Sequence, residues 1–349
     1  MTPELETMLA EPKANFFGAG IVASPSFMSN SSWPPSADIS SLQQRAMTVS
    51  AIRDFFAARQ VWEVDTPLVA KYSVTDPHME VFDVSDPLDQ GRRYFLQTSP
   101  EYAMKRLLAA GSGPIYQISK AFRKGESGKR HNPEFTLLEW YRPDYDHFQL
   151  MDEVEALVAS LLNSVIPFER KSYRDIFIDH LAIDPYQHDC MSLQEIAHAR
   201  LDVQMYSDNR DDWLNLLLAE CIEPQLGIDT PVFIYDYPAS QSALAKIDID
   251  THGESIAQRF ELYSKGVELA NGYFELTDAK EQSMRFENDN KLRGKMGKPY
   301  RENDEFLLAA MAAGLPSCAG IALGIDRLMM LILNKDSISD VLSFAAARI

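Results

Sequence analysis

Three kinds of scarcity narrow the chain before any motif is considered. Its 349 residues include only three cysteines, Cys190, Cys221 and Cys318, odd in number and with no C-x-x-C pair. That excludes a disulfide framework or a cysteine zinc site and fits a reducing cytosol. No apolar run approaches the roughly 20 residues of a membrane span, and Glu4, Glu6 and Glu11 stand where a signal peptide would be basic. Positive charge is also short, with 33 Lys plus Arg against 51 Asp plus Glu and a net charge of −18. Affinity for a phosphate backbone comes largely from Lys and Arg releasing counterions, so this balance argues against a general nucleic-acid binder. A soluble, cytoplasmic protein is expected, and 46% hydrophobic content is enough for a full core.

The most informative stretch runs from Ala121 to Tyr145: a strand ending in Arg123, a polar loop, then a second strand. The period-two rule puts Phe135, Leu137, Glu139 and Tyr141 on one face of that strand, and Glu134, Thr136, Leu138 and Trp140 on the other. A carboxylate beside an aromatic ring is either half exposed or partnered, because an unpaired buried charge costs several kcal/mol. A ligand could be the partner.

Residues 1–40, rich in Ser, Pro and Asn, read as an irregular arm. Helical spacing is expected over Leu42–Arg59, in residues 147–165, in short helices through about 222, and over Glu281–Arg293 and Glu302–Ala313. Strands are expected at Val61–Val64, Tyr94–Leu96, Val232–Tyr235 and Cys318–Leu323. Residues 147–230 look like a helical insertion on a catalytic domain spanning 41–349. Ser99 can cap a helix with Pro100 at its first position, and Glu101 in the first turn favours the macrodipole. That suffices structurally, although a carboxylate there could also pair with an ammonium. Asn271-Gly272 is the strongest short hairpin signal. A two-residue turn there sets Glu268 directly opposite Glu275, an arrangement that makes sense if a cation lies between them; a solvent-exposed acidic turn is the alternative. Arg327, in the first turn of a helix after Gly324, is unfavourable for the dipole unless an anion or stacked ring compensates. An arginine that merely snorkels is the other reading.

Phe122 to Tyr141 closely resembles the second signature of class II aminoacyl-tRNA synthetases of the lysyl branch. Gly320 to Leu331 looks like the third signature, Val267 to Asp278 like the acidic segment between them, and the helix, strand and Thr66-Pro67 like the first. Leu137 to Tyr141 followed by Arg142-Pro143, with no room before residue 41 for an anticodon barrel, is similar to the paralogue family that modifies elongation factor P. The resemblance implies an α+β fold, an antiparallel sheet flanked by helices, and a homodimer built on the first signature. It implies an ATP- and Mg²⁺-dependent ligase acting on lysine or (R)-β-lysine, with elongation factor P rather than tRNA as acceptor and no membrane association.

By resemblance, Arg123, Glu268, Glu275 and Arg327 are catalytic, and Glu268 with Glu275 holds Mg²⁺. ATP is implied to meet Arg123, Lys124, Gly125, Glu126, Arg130, His131, Phe135, Glu268, Leu269, Gly324 and Arg327, with adenine between Phe135 and Arg327. The amino acid is implied to meet Ser99, Pro100, Glu101, Glu139, Tyr141, Asn271, Glu275 and Ala322, and the segment around Ser240 and Gln241 lies over the pocket. Two positions depart from the lysyl pattern. Gly125 stands where a carboxylate normally follows the arginine, so Glu126 or backbone groups read the adenine edge. Ala322 replaces a glycine, which reshapes a pocket wall and favours a substrate whose amino group is displaced by one carbon, as in (R)-β-lysine.

Overall fold

The computed structural model describes residues 33–85 and 93–349. The arm assigned to residues 1–40 lies outside them as far as residue 32. Its described end is tied down: Ser36 and Ala37 donate backbone hydrogen bonds to Ser343 and Leu342 at 2.7 and 3.0 Å.

Helix α1 (Ile39–Ala57) starts on Asp38, whose carboxylate accepts from the Ser41 amide, and the helix buries Ile52 and Phe56. Strands β1 (Trp62–Glu63), β2 (Val69–Ala70), β3 (Asp83–Ser85) and β4 (Arg93–Leu96) follow, then α2 (Glu101–Ala109) and the long antiparallel pair β5 (Ile115–Phe122) and β6 (Glu134–Pro143). Helix α3 (His147–Leu162) opens with a capping box between Asp146 and Gln149. The region read as a helical insertion holds α4 (Tyr173–Leu181), α5 (Cys190–Arg200) and α6 (Arg210–Leu217), but also a strand, β7 (Glu169–Ser172). Next come β8 (Val232–Pro238), β9 (Ile247–Ile249), β10 (Ser255–Ser264), β11 (Val267–Phe274), α7 (Ala279–Lys295), α8 (Glu305–Gly314), β12 (Cys318–Gly324) and α9 (Ile325–Ile332).

Nine strands make one sheet in the order β1-β5-β6-β12-β11-β10-β8-β7, with β9 added beside β10, while β2-β4-β3 form a separate small sheet. The large sheet is antiparallel at its centre and parallel at its two margins, β1 with β5 and β7 with β8. The expected antiparallel pairing runs through its centre, and the parallel pairs at the margins make it mixed. No described helix is long and apolar enough to cross a membrane.

The two faces of the sheet differ. Leu138, Trp140, Ile321, Leu323, Leu262 and Phe233 point to one side, where α1, α3 and α9 cover them in a continuous core. On the other side are two separate apolar clusters, one around α4 and α6 and one around α2, α7 and α8. Between them the register lays down a polar row: Gln117 pairs with Glu139, Glu139 with Ala322, Ala322 with Asn271, and Asn271 with Glu261. A covered sheet face with charged residues at its centre is where a ligand can be held.

The hairpin between the acidic residues is not where the Asn-Gly pair placed it. Val267–Phe274 is one unbroken strand, and the turn joining it to β10 is Lys265-Gly266, both at positive φ (50° and 67°) as a tight hairpin turn requires. Gly272 is glycine for another reason. A Cβ there would lie 2.5 Å from the Phe260 ring, so what it provides is close approach, not a turn.

Candidate active site

Glu268 and Glu275 consequently lie seven residues apart along one run of chain, and not opposite one another across a hairpin as the Asn-Gly signal placed them. The carboxylate that faces Glu268 is Glu261. The pairing passes from Leu262↔Ala270 to Tyr263↔Glu268, leaving Leu269 as an extra residue on β11. This bulge turns Glu268 onto the same face as Glu261 and Asn271. Burial and the charge of Glu261 push the Glu268 carboxyl up, while Arg327, Arg259 and Arg123 pull it down. Glu261 itself is held from four sides: Tyr237 and Tyr263 each donate at 2.6 Å, Asn271 Nδ2 at 2.9 Å, and Arg259 forms an ion pair with it. The bulge also sends the Leu269 side chain into the core, so only its backbone is available to a nucleotide.

A cationic group gathers around Glu268. Arg327 Nη1 donates to the Glu268 carbonyl at 2.8 Å and approaches its carboxylate at 3.5 Å, while Nη2 lies 2.7 Å from His131 Nε2. These acceptors compensate an arginine in the first turn of α9. Burial and Arg327 lower the His131 pKa, consistent with a neutral imidazole accepting from the guanidinium. Arg130 reaches the Gly266 carbonyl at 2.8 Å. Asp326 fixes this corner by accepting the Thr136 amide at 2.8 Å and pairing with Arg45 at 2.6 Å, which locks α9 and α1 to β6. Arg123 stacks over Phe135 with its Cζ 5.0 Å from the ring centroid, and its Nη1 lies 3.8 Å from Glu126. Lys124 is exposed, and Gly125 has φ +87° with open space around it, so the glycine there serves the loop's conformation. Gly324 would meet protein atoms only at 3.8 Å or more if it carried a Cβ, so protein packing alone does not demand a glycine at that corner.

The second group is a largely buried polar cluster about α2. Ser99 Oγ accepts the Glu101 amide at 3.0 Å and donates to Glu139 Oε2 at 2.7 Å, and Tyr141 donates to Glu139 Oε1 at 2.8 Å. Pro100 stands at the N-cap position, so the helix begins at Glu101, one residue later than expected. Glu139 is 2% exposed, and burial with the Glu101 charge pushes its carboxyl up to about 8. Glu275 is 2% exposed and lies over Gly320, where a Cβ would stand 2.4 Å from its Oε1 and 2.3 Å from the Tyr141 ring. Lys105, 1% exposed, joins Glu101 Oε1 at 2.6 Å and Glu275 Oε2 at 2.7 Å. Ala322 and Asn271 continue the floor. Ser240 and Gln241 bond to Asp211 of α6.

Of the residues named by resemblance, the structure brings Ser99, Glu101, Glu139, Tyr141 and Glu275 into one cluster, and Arg123, Arg130, His131, Glu268 and Arg327 into a neighbouring one, which separates Glu275 from Glu268. Sequence reasoning missed Lys105 and Glu261. Glu101 and Lys105 have the i,i+4 spacing of an ordinary surface pair, and nothing local marks it as buried. Glu261 alternates with the apolar residues of its strand, the same period-two signal that singled out Glu139.

A sheet of this topology with a buried acidic pocket beside an arginine cluster is the architecture of an acyl-activating synthetase. The chain belongs to the class II tRNA synthetases (D, K and N), whose family profile matches residues 37–348. Three curated relatives, each covering 98% of its own length, are named elongation factor P (R)-β-lysine ligase: from Proteus mirabilis (51% identical over 90% of this chain), Edwardsiella ictaluri (50% over 91%) and Salmonella typhi (49% over 90%). The chain is an ATP-dependent ligase.

Proposed function

We propose that this ligase activates lysine or (R)-β-lysine as the acyl-adenylate and transfers it to the ε-amine of a lysine on elongation factor P in the cytoplasm. The observation that carries the reading is the pocket of three carboxylates, Glu101, Glu139 and Glu275, next to the Arg123, Arg130, His131 and Arg327 group. The first suits a substrate with two ammonium groups, and the second suits a polyphosphate. The names of the relatives supply the acceptor.

In the first step the substrate carboxylate attacks the α-phosphate in line, forming the mixed anhydride and expelling pyrophosphate. Arg123 is placed to stabilise charge growing on the phosphate, with Arg130, His131 and Arg327 steadying the departing phosphates and Phe135 offering a face to adenine. In the second step the acceptor amine attacks the adenylate carbonyl, AMP leaves, and an amide forms. Glu139, Tyr141, Glu101 and Glu275 hold the substrate amino groups, and Ala322 shapes the wall beside them. Glu261 and Glu268 fit a divalent cation: they are hard oxygen donors on one face, and the charge of Glu261 raises the cost of ionising Glu268. Mg²⁺ bound there would neutralise phosphate charge. Glu275, engaged by Lys105, belongs to the amino-acid side. A homodimer is part of this reading, supported by Met47, Trp62, Leu68 and Val69, exposed apolar residues on the segment that resembles the first signature. So is a catalytic domain from about residue 41 to 349.

The test is incubation with ATP, Mg²⁺, elongation factor P and either α- or β-lysine, read by intact mass. A gain of one lysyl unit on the factor is expected. Label appearing on tRNA or in a free amide instead would refute the assignment of the acceptor.

A further inference from the structure

Lys105 is the one component of the pocket whose charge has the wrong sign for binding ammonium groups, and it is buried as deeply as the carboxylates around it. Its partners are Glu101 on its own helix and Glu275 beyond the end of β11, and the Cys318 thiol on β12 feels both Glu275 and Lys105. A lysine contributing only to stability gains little by such burial. Replacing buried ion pairs with apolar side chains is often neutral or stabilising, whereas removing one partner is costly.

We propose that Lys105 is a specificity-determining positioning residue: an internal counter-ion that holds Glu101 and Glu275 aimed at the substrate and trims the pocket's charge to match a diamino acid. This rests on the functional reading above. With substrate bound, three carboxylates and one ammonium leave two net negative charges, the complement of two substrate ammonium groups. A monoamino acid leaves one carboxylate uncompensated in a largely buried site, where such a charge is costly. The lysine thereby helps select a substrate it need not touch.

A double-mutant comparison tests this with an unusual sign. Glu101→Gln reduces the pocket to one net negative charge, and adding Lys105→Met restores two. In pyrophosphate exchange, the double variant is expected to show a KM for the diamino acid lower than that of Glu101→Gln by about fivefold or more, with the KM for ATP unchanged. A purely structural Lys105 gives the reverse, because its removal strips Glu275 of its partner. A double variant with a KM equal to or higher than that of Glu101→Gln would overturn the proposal. Should that double variant not fold, Glu101→Gln with Lys105→Gln, which carries the same charge, decides by the same comparison and the same sign. Wild-type protein with no exchange driven by a diamino acid would remove the functional reading itself. Wild-type exchange with the wrong sign in the cycle would remove only the role of Lys105.

Discussion

Gly320 is where the sheet has been thinned to admit the pocket, and Gly320→Ala should damage it in a calculable way. A Cβ at this position would stand 2.3 and 2.4 Å from two carbons of the Tyr141 ring and 2.4 Å from Glu275 Oε1. Ordinary carbon contacts are about 3.5 to 4.0 Å, so both groups must withdraw by roughly 1 Å or more. Neither is free to do so without loss, since Tyr141 is bonded to Glu139 at 2.8 Å and Glu275 to Lys105 at 2.7 Å. Overpacking of this kind costs about 1 to 3 kcal/mol, which for a chain of this size lowers Tm by several degrees. A displacement of about 1 Å in a substrate-orienting group can cost on the order of 10²-fold in rate. The expected result is a fall of roughly 10²-fold in kcat/KM for the amino acid in pyrophosphate exchange, with the KM for ATP little changed. Gly324→Ala is the control for stability, because its Cβ would meet nothing closer than 3.8 Å and should leave Tm unmoved. A Gly320→Ala protein with wild-type kcat/KM would refute the geometry on which the amino-acid pocket rests.

Proton release on binding offers an independent view of the same pocket. Burial pushes Glu139 up to about 8 and Glu275 up to about 7, so the empty pocket carries protons at pH 7 that an arriving ammonium displaces. Calorimetry of lysine binding in buffers of different ionisation enthalpy should show net proton release at pH 7 that fades above about pH 9, where the carboxylates are already ionised; no release at pH 7 would contradict the assignment. Glu261→Gln should raise the Mg²⁺ concentration needed for exchange about tenfold or more, whereas Glu275→Gln should raise the KM for the amino acid and leave the Mg²⁺ requirement alone. The reverse pattern would reinstate the Glu268 and Glu275 pairing. Arg123→Ala should cost about 10² to 10³ in exchange rate, measured at saturating amino acid. Ala322→Gly should shift the preference between β- and α-lysine toward the α isomer by about 1 to 3 kcal/mol, read as a ratio of kcat/KM values.

Much of this architecture could be read from local pattern because the pattern was physical. The alternation through Phe135 to Tyr141 put Glu139 on a face shared with Tyr141, and the structure closes those two residues into one hydrogen-bonded unit. Helix α3 and the start of α9 fell where their spacing and flanking residues placed them. The acidic segment went wrong because Asn-Gly has two uses. Glycine supplies positive φ at a turn and also empties space beneath a ring, and only the position of Phe260, on the neighbouring strand, tells which applies. The true turn, Lys265-Gly266, is a weaker signal since lysine seldom adopts positive φ. Lys105 was invisible for a similar reason: its spacing from Glu101 is that of a solvated pair, and only its packing beneath Glu275 makes it interior. Strand pairing at the sheet margins, where β1 and β7 run parallel to their neighbours, depends on connections too long for local sequence to specify.

The extra residue on β11 leaves the protein with an acidic group whose direction depends on counting rather than on chemistry. Excising Leu269 would still leave a strand able to join its neighbours, and most of the domain would assemble, yet Glu268 would swing toward the helices behind the sheet. Such a chain would fold less well and would have lost half of the proposed cation-binding pair without any change in the identity of either acid. Insertions and deletions in this hairpin are therefore a route by which a relative could keep the scaffold while abandoning the reaction.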